Sequence, residues 1–348
     1  MPAETRKSWV LDSRPQGRPT LGNFRMEEQP LEEPGDGKFL VRTIWLSLDP
    51  YMRGRMNEGK SYAPRVELGE VMTAECVAEV ISSKHPDYKV GEIVSGQFGW
   101  TTHAISDGEQ VRRLDPEAAP LGSALGILGM PGITAWTSLN VLAEAMQGET
   151  IVVSAATGAV GTVLGQLAKL KKLRVIGVAG GKEKCEWAVE NLGYDVCIDH
   201  HMAADELAEA IRAAAPNGVD IYHDNVGGKT LESVVPAMND HGRIVVCGVI
   251  AWYNGEGIAD AMPLPKVWSN ILVKRLKVQG MIVFDYFDRY SEFLEEVAPL
   301  VKFGQLSWRE TVVEGIENAP NAFLGLFDGR NFGKLLVRVG PDPSEAGN

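Results

Sequence analysis

The sequence predicts an α/β chain in two domains, one an antiparallel, barrel-like β domain and the other a doubly wound parallel sheet. A length of 348 residues exceeds what one hydrophobic core usually serves. Short apolar runs punctuated by Gly and Pro fill the first part of the chain, and from about residue 132 strand-like runs alternate with helical segments. We expect domain segments at 1–130, 131–305 and 306–348, the last returning to the first domain.

The first domain is predicted from closely spaced apolar runs and turn signals. Strand-like runs lie at 39–49, 74–82 and 92–98. The turn sequences PGDG, HPDYKVG and SDG separate such runs or follow them. Short strands at this spacing are typical of an antiparallel barrel.

The second domain is predicted from strands that alternate with helices of about ten residues, the pattern of βαβ units. The strand-like runs are 150–155, 174–180, 195–199, 219–226 and 242–249. The helical runs are a segment from about Ala159, then 182–193, 202–216, 229–238 and 290–304. We expect Gly193 to end the second helix and Pro216 to stop the third. The strand-like run 333–340 lacks a βαβ partner, so we expect it in the first domain.

Composition and charge narrow the classes of partner. Hydrophobic residues make up 45% of the chain and charged residues 23%, as in ordinary globular proteins. The net charge of −12 argues against nucleic acid, since phosphate binding needs a basic surface. The most apolar window, 118–136, is broken by prolines and glycines, so we expect no membrane partner. No apolar core follows the charges in MPAETRKSW, so we expect no secretory leader and a cytoplasmic location.

The sequence AATGAVG (155–161) joins the first predicted strand of the second domain to its helix. A dinucleotide loop stands in this place, with amides at a helix N-terminus turned towards a pyrophosphate. Gly158 allows the backbone to approach the phosphate, and Gly161 allows the helix to pack closely on the sheet. Ala156 stands where the G-x-G-x-x-G pattern has its first glycine, so the turn must be one that alanine tolerates. A glycine-rich packing turn remains an alternative.

The end of the second strand favours NADPH over NADH. An NAD site places an acidic residue there, whereas this strand ends in Gly180 and Gly181. Lys182 and Lys184 follow and offer positive charge to a 2′-phosphate. Glu183 lies between them, in the predicted start of the helix. A solvated lysine with no ligand is the alternative for each of the two.

No metal site is expected. Cys76, Cys185, Cys197 and Cys247 are widely separated, and none has a histidine at ligand spacing. We expect all four to be small core residues.

The chain resembles the zinc-independent medium-chain dehydrogenase/reductases, in particular the group of prostaglandin reductases, plant alkenal double-bond reductases and bacterial curcumin-reductase-like proteins. The matching stretches are WLSLDPYMRGRM (45–56), AATGAVGTVLGQLAK (155–169), AGGKEKC (179–185), DNVGG (224–228), VCGVIAWYN (246–254) and NFGKLLV (331–337). The resemblance implies a GroES-like β-barrel domain, a Rossmann domain that binds NADPH, a small-molecule substrate and a homodimer. Where zinc-dependent relatives carry their GHE motif, this chain has GEVMTAECVAEV.

The resemblance also implies the cofactor-binding residues. They are Gly158, Ala159, Val160, Gly161, Lys184, Asn225, Cys247, Gly248, Val249, Ile250, Tyr253, Met281, Ile282, Val283 and Asn331. A tyrosine usually assists at the 2′-phosphate, and His200 stands in its place.

The implied reaction is reduction of the C=C bond of an enal or enone. Hydride addition to the β-carbon places negative charge on the carbonyl oxygen. A neutral hydroxyl group that donates a hydrogen bond to this oxygen stabilises the resulting enolate. Tyr253 is the candidate donor, and a pocket-wall role is its alternative; the ribose 2′-hydroxyl of the cofactor is another candidate donor. Substrate-binding residues implied by the resemblance are Tyr51 and Arg53, and further apolar pocket candidates are Tyr62, Trp252, Phe284 and Tyr286. Packing alone is the alternative for these aromatic residues.

Two other functions remain open at this point. A zinc-free NADPH:quinone oxidoreductase would share the fold and the cofactor but deliver hydride to a quinone. A non-catalytic NADPH-binding protein would bind the cofactor without turnover. A comparison of turnover on enones with turnover on quinones distinguishes these two functions from C=C reduction.

Overall fold

The computed structural model of the chain describes residues 5–345; residues 1–4, on which part of the leader expectation rests, lie outside that range. The chain divides into two compact units. The first unit comprises Met1–Gly129 and Glu310–Asn348, and the second comprises Met130–Arg309.

The N-terminal part of the first unit is built mainly of antiparallel strands. Its elements are β1 (Thr5–Leu11), β2 (Phe24–Pro30), β3 (Phe39–Leu48), α1 (Met52–Arg55), β4 (Cys76–Ser83), β5 (Ile93–Gly96), β6 (His103–Ser106) and β7 (Arg112–Leu114). Strands β1 and β2 form a two-stranded sheet, whereas β3 pairs antiparallel with both β4 and β6. The antiparallel prediction for this segment is confirmed.

The second unit is a six-stranded parallel sheet with helices in its connections. Its elements are α2 (Met130–Thr137), β8 (Thr150–Ser154), α3 (Ala159–Leu170), β9 (Arg174–Ala179), α4 (Lys182–Leu192), β10 (Val196–Asp199), α5 (Ala204–Ala214), β11 (Val219–Asp224), α6 (Gly228–Val234), β12 (Met238–Val246), α7 (Leu264–Lys274), β13 (Lys277–Gly280) and α8 (Tyr290–Lys302). The strand order is β10-β9-β8-β11-β12-β13, and every pairing is parallel. The order reverses between β8 and β11, where doubly wound sheets bind ligands.

The C-terminal segment adds β14 (Glu310–Glu314), α9 (Ala319–Leu326) and β15 (Lys334–Arg338). Strand β15 pairs antiparallel with β3, so the last strand joins the sheet of the first unit. Strand β14 pairs parallel with β15, an exception to the antiparallel pattern. The sheet order is β14-β15-β3-β4-β5-β7, with β6 on β3.

Local signals placed several element ends correctly. Helix α3 begins at Ala159 as predicted, and α4 ends before Gly193, whose φ of 72° is the left-handed geometry of a glycine C-cap. Helix α5 ends at Ala214, two residues before Pro216. Helices α1, α2, α7 and α9 and strands β13 and β14 were not predicted.

The cysteine prediction holds in part. Cys76 and Cys185 are buried, while Cys197 and Cys247 are half-buried, and all four are free thiols. Among residues 5–345, no helix combines the length and the apolar character that crossing a bilayer requires.

Candidate active site

The loops that follow the parallel strands of the second unit gather most of the candidate cofactor residues. Carboxyl ends of parallel strands meet at one edge of a sheet, and this edge is the usual ligand site of doubly wound folds. Strand β8 ends at Ser154, β9 at Ala179, β11 at Asp224, β12 at Val246 and β13 at Gly280. The predicted phosphate loop, Lys184, Asn225, the segment 247–253 and the segment 281–283 all follow these ends.

The phosphate loop carries its positive φ at Ala155, with φ of 50°, rather than at Ala156. Ala156 is fully buried, and its N–H donates to Val178 O at 3.0 Å. The sequence pattern indicated Ala156 as the residue that replaces a glycine, but it is Ala155 that adopts the left-handed conformation. That conformation costs alanine about 1 kcal/mol or more relative to glycine.

Helix α3 begins on this loop with no side chain capping it. Gly158 is the N-cap, and no side-chain cap bond is made there. The first helical bond joins Thr162 N to Gly158 O at 3.0 Å, so the N–H groups of the preceding turn have no partner within the helix. A Cβ on Gly161 would stand 2.7 Å from Ala156 O, so the helix approaches the loop as only glycine allows.

The end of strand β9 has the open geometry expected for a 2′-phosphate. Gly181 has φ of 89°, and a Cβ there would meet nothing within 4 Å. Lys184 lies in the first turn of α4 and is half-buried, and burial lowers the pKa of its ammonium group. Lys182, by contrast, is exposed and pairs with Glu186 at 3.4 Å. Of the two lysines, Lys184 is the more buried.

His200 also lies at this end of the sheet. A Cβ on Gly180 would stand 3.0 Å from His200 Nε2, so this glycine allows the imidazole to come close. Burial and then the neighbouring His201 lower the pKa of His200, which favours a neutral ring. Asp199, which the sequence analysis missed, accepts from the N–H of Gly181 at 2.9 Å. Its position directly before His200, itself a candidate site residue, could have identified Asp199 from the sequence.

Asn225 is fixed to strand β8 by two hydrogen bonds. Its backbone N–H donates to Ser154 Oγ at 2.8 Å, and its side-chain amide donates to Ser154 O at 2.7 Å. The fully buried Asp224 beside it accepts through Oδ1 from Tyr222 OH at 2.8 Å and from the N–H of Gly227 at 2.8 Å. These bonds tie the DNVGG loop to the point where the strand order reverses.

The turn Cys247–Tyr253 lies against that loop. The N–H groups of Cys247 and Gly248 donate to Asp224 O at 2.8 and 3.0 Å. A Cβ on Gly248 would meet Asn225 O at 3.2 Å and the Tyr253 hydroxyl oxygen at 3.3 Å. The phenol oxygen of Tyr253 accepts from Val249 N at 3.5 Å. The structure thus brings Asn225, Gly248 and the Tyr253 hydroxyl together.

Cys247 is not set up as a nucleophile. Burial and the nearby Asp224 raise the pKa of its thiol to about 12, so the sulfur carries its proton at neutral pH.

The run Met281–Val283 continues the same edge. Met281 N donates to Val246 O at 2.9 Å, which joins this run to the end of β12. Phe284 follows on a 3₁₀ turn, and its ring meets Phe287 edge-on at 5.3 Å between centroids. Trp252 lies over Gly227, where a Cβ would stand 2.8 Å from the indole.

The first unit holds the candidate substrate residues around α1. Tyr51 is half-buried, and burial, then Asp49, raise the pKa of its phenol well above its usual value. Arg53 is buried and donates to Asn57 Oδ1 at 2.6 Å and to Gly17 O at 2.7 Å. Tyr62 is exposed, with the guanidinium carbon of Arg55 4.6 Å from its ring centroid. Arg55 was not among the residues that the sequence singled out.

Behind α1 lies a buried ion pair that the sequence analysis also missed. Lys334 Nζ donates to Asp49 Oδ1 at 2.6 Å and to Leu48 O at 3.2 Å, and Ser47 donates to the other oxygen of Asp49. Asn331, three residues before Lys334, donates to Gly333 O at 2.8 Å. Asn331 therefore shapes the entry to β15 in the first unit.

These residues fit an NADPH molecule. The uncapped start of α3 and the close approach at Gly161 suit a pyrophosphate. Glycines in place of an acid after β9, with the half-buried Lys184 beside them, suit a 2′-phosphate. In the part of the chain that the structure describes, no three His, Cys, Asp or Glu side chains are grouped to hold a metal ion.

Comparisons with known proteins place the chain among oxidoreductases. The model of the N-terminal domain of oxidoreductase matches residues 7–114, and the zinc-binding dehydrogenase model matches residues 159–299. The NADPH-dependent curcumin reductase of Escherichia coli is 47% identical over 338 residues, covering 97% of each chain. The NADP(+)-dependent 2-alkenal reductase of Nicotiana tabacum is 40% identical over 308 residues, covering 88% of each.

A solved structure agrees with these relatives. The crystal structure of CurA in complex with NADPH from Vibrio vulnificus matches with a TM-score of 0.92 and 44% identity, covering 97% of this chain and 100% of that one. With this fold, these two domain models and relatives of such identity, the chain belongs to the zinc-independent medium-chain dehydrogenase/reductases, in the group of the curcumin, prostaglandin and 2-alkenal reductases.

Proposed function

We propose that the protein is an NADPH-dependent reductase of the C=C bond of α,β-unsaturated aldehydes and ketones. The observation that carries this proposal is the gathering of Asn225, Gly248 and the Tyr253 hydroxyl on the sheet edge that also holds the uncapped start of α3. Relatives that span nearly the whole chain are named for NADPH and for curcumin or 2-alkenal, which supports the same reaction.

The cofactor is held through its phosphates in this proposal. The N–H groups of Ala159, Val160 and Gly161 bind the pyrophosphate at the start of α3, with Gly158 giving the backbone room. Lys184 binds the 2′-phosphate, and its partly buried ammonium group strengthens that attraction because less water screens it. His200 supports the same phosphate as a hydrogen-bond donor.

The nicotinamide end lies, in this proposal, along Asn225, along the segment 247–250 and along Met281, Ile282 and Val283, with Asn331 as a further contact. Bound NADPH supplies the hydride that adds to the β-carbon of the substrate. Tyr253 donates a hydrogen bond to the carbonyl oxygen, where negative charge develops, and so stabilises the enolate. Val249 N donates to the phenol oxygen of Tyr253 at 3.5 Å.

Three aromatic residues are proposed to contact the substrate. Tyr51 and Tyr62 contribute aromatic surface, and Tyr51 keeps a neutral hydroxyl because its pKa is raised by burial. Phe284 contributes apolar surface from the second unit. Arg53 acts as a positioning residue, since both of its terminal nitrogens bind within the first unit.

We also propose a cytoplasmic homodimer joined through the second unit. Helix α7 presents Leu264, Trp268 and Leu272 at spacings of four residues, and they are 65%, 65% and 77% exposed. The neighbouring β13 is the edge strand of the six-stranded sheet, and its Val278 is also exposed. A second copy covers this apolar face and pairs edge to edge about a twofold axis.

The function is tested by NADPH consumption against a matched panel of enals, enones and quinones, with the products identified. We expect turnover of enals and enones to saturated carbonyl compounds, with kcat/KM at least tenfold above that for quinones. Turnover of quinones alone would identify a quinone oxidoreductase instead. NADPH binding without any turnover would identify a non-catalytic binding protein.

A further inference from the structure

The guanidinium of Arg55 lies over the rings of two tyrosines. Its carbon lies 5.4 Å from the ring centroid of Tyr51 and 4.6 Å from that of Tyr62. Both distances are within the range of a cation–π contact. Arg55 itself is only 5% exposed, although it belongs to the four-residue helix α1 and not to a long element. Its backbone is fixed as well, because Val66 N donates to Arg55 O at 2.9 Å.

The same guanidinium has no anionic partner among residues 5–345. Its Nη1 is buried and makes no hydrogen bond within the described chain. A buried donor left without an acceptor destabilises a fold, and a buried charge without a counter-ion does so more strongly. The neighbouring Arg53 shows the ordinary arrangement, with Asn57 and Gly17 accepting from its terminal nitrogens.

Acidic side chains lie near this helix but are already bound to other groups. Asp49 is paired with Lys334 at 2.6 Å and accepts from Ser47. Glu75 accepts from Ser95 Oγ at 2.8 Å and lies 3.7 Å from Arg112 Nη2. The fold supplies these two carboxylates with partners, whereas no carboxylate among residues 5–345 pairs with Arg55.

This arrangement is that of a recognition site for a planar anion. A cation–π contact with a tyrosine ring uses none of the N–H hydrogen bonds of a guanidinium, so both rings leave the Arg55 N–H groups available to an anion. Those N–H groups match the two oxygens of a carboxylate, and such charge-assisted bonds are about twice as strong as neutral ones. One of the two tyrosine rings in contact with Arg55, that of Tyr62, is 52% exposed, so this group of side chains reaches the surface.

We propose that Arg55 binds a carboxylate carried by the unsaturated substrate, so that the protein prefers anionic enones to their neutral esters. The proposal rests on the proposed function, because Tyr51 and Tyr62 are the residues assigned there to the substrate. It makes Arg55 a specificity-determining residue. The carboxylate that it binds stands apart from the C=C bond and takes no part in its reduction.

The test compares four chalcones that carry a carboxylate at the meta or para position of either ring, each with its methyl ester. We expect at least one acid to be reduced with kcat/KM about 10- to 100-fold above that of its ester. In Arg55→Gln this ratio falls to about one because kcat/KM for the acid falls much more than kcat/KM for the ester. Arg65→Gln is the matched control, because Arg65 is exposed and pairs with Glu67 at 2.7 Å.

Each outcome bears on one claim. If the esters are reduced and no acid is preferred, the Arg55 proposal is wrong while the proposed function stands. Equal losses on acid and ester in Arg55→Gln would also overturn it, because they would indicate a structural role. If neither acid nor ester is reduced, the proposed function fails, and calorimetric binding of the saturated carboxydihydrochalcones decides the Arg55 proposal. Weaker binding in Arg55→Gln supports it, and unchanged binding overturns it.

Discussion

The buried imidazole of His223 lies 3.2 Å from the side-chain oxygen of Asn225, Nε2 to Oδ1. An amide oxygen can only accept, so Nε2 carries the proton, and His223 Nδ1 is left buried with no partner within the described residues. Burial lowers the pKa of His223 to about 4. Protonation of His223 would keep this hydrogen bond but would bury a positive charge beside the loop that carries Asn225.

Stability should fall on acidification because of this histidine. The unfolded chain binds a proton on His223 below about pH 6.5, whereas the folded chain does so only near pH 4. The contribution of His223 is thus fully present above pH 6.5 and is lost between pH 6.5 and 4, by about 3 kcal/mol. We expect His223→Gln to be less stable at pH 7 but to have a flatter profile over that window. Urea unfolding at several pH values measures this, and parallel profiles would contradict it.

Lys184→Ala should change the choice of coenzyme. Removal of the half-buried ammonium group takes away the positive charge assigned to the 2′-phosphate, so KM for NADPH should rise about 10- to 100-fold. KM for NADH, which has no such phosphate, should change less than twofold. Lys182→Ala is the control, because Lys182 is exposed and paired with Glu186. Equal effects on both coenzymes would remove Lys184 from the 2′-phosphate site.

Tyr253→Phe should lower kcat with little effect on KM for NADPH. The ring remains in place beside Gly248, but the hydroxyl that steadies the enolate is gone. We expect a loss of about 10- to 100-fold in kcat. Tyr88→Phe in the first unit loses a hydroxyl that donates to Val111 O at 3.1 Å, so it should alter stability without altering turnover. Full activity in Tyr253→Phe would show that Tyr253 only lines the pocket and takes no part in the chemistry.

Trp268→Arg should convert the dimer into monomers. The exchange places a charge in the apolar face of α7, where Trp268 is 65% exposed on the single chain. Light scattering after size exclusion should give the mass of two chains for the natural sequence and of one chain for the variant. Leu170→Glu, at the exposed end of α3, should leave the mass unchanged. A monomeric natural protein would rule out the interface.

The sequence predicted the parts of the site that depend on local patterns. Gly158 and Gly161 lie in the loop and the helix start that follow β8, so their spacing made them candidates, and the residues after β9 made Lys182 and Lys184 candidates until the resemblance favoured Lys184. The Lys334–Asp49 pair escaped because its members are 285 residues apart, and no local pattern joins them. Arg55 escaped although its partners Tyr51 and Tyr62 are near in sequence, because its burial and its Nη1, unpaired within residues 5–345, are visible only in the fold. Helix α7 escaped because its exposed apolar residues suit a partner rather than a core.

The central claim is hydride delivery to a carbon–carbon double bond, and isotope tracing tests it most directly. The protein is incubated with 4-phenyl-3-buten-2-one and NADPH dideuterated at nicotinamide C4, and the product is analysed by NMR. If hydride adds to the β-carbon, we expect 4-phenyl-2-butanone with one deuterium at the former β-carbon. An allylic alcohol with deuterium on its carbinol carbon would contradict hydride delivery to the C=C bond. So would the absence of any labelled product under conditions in which a quinone is reduced.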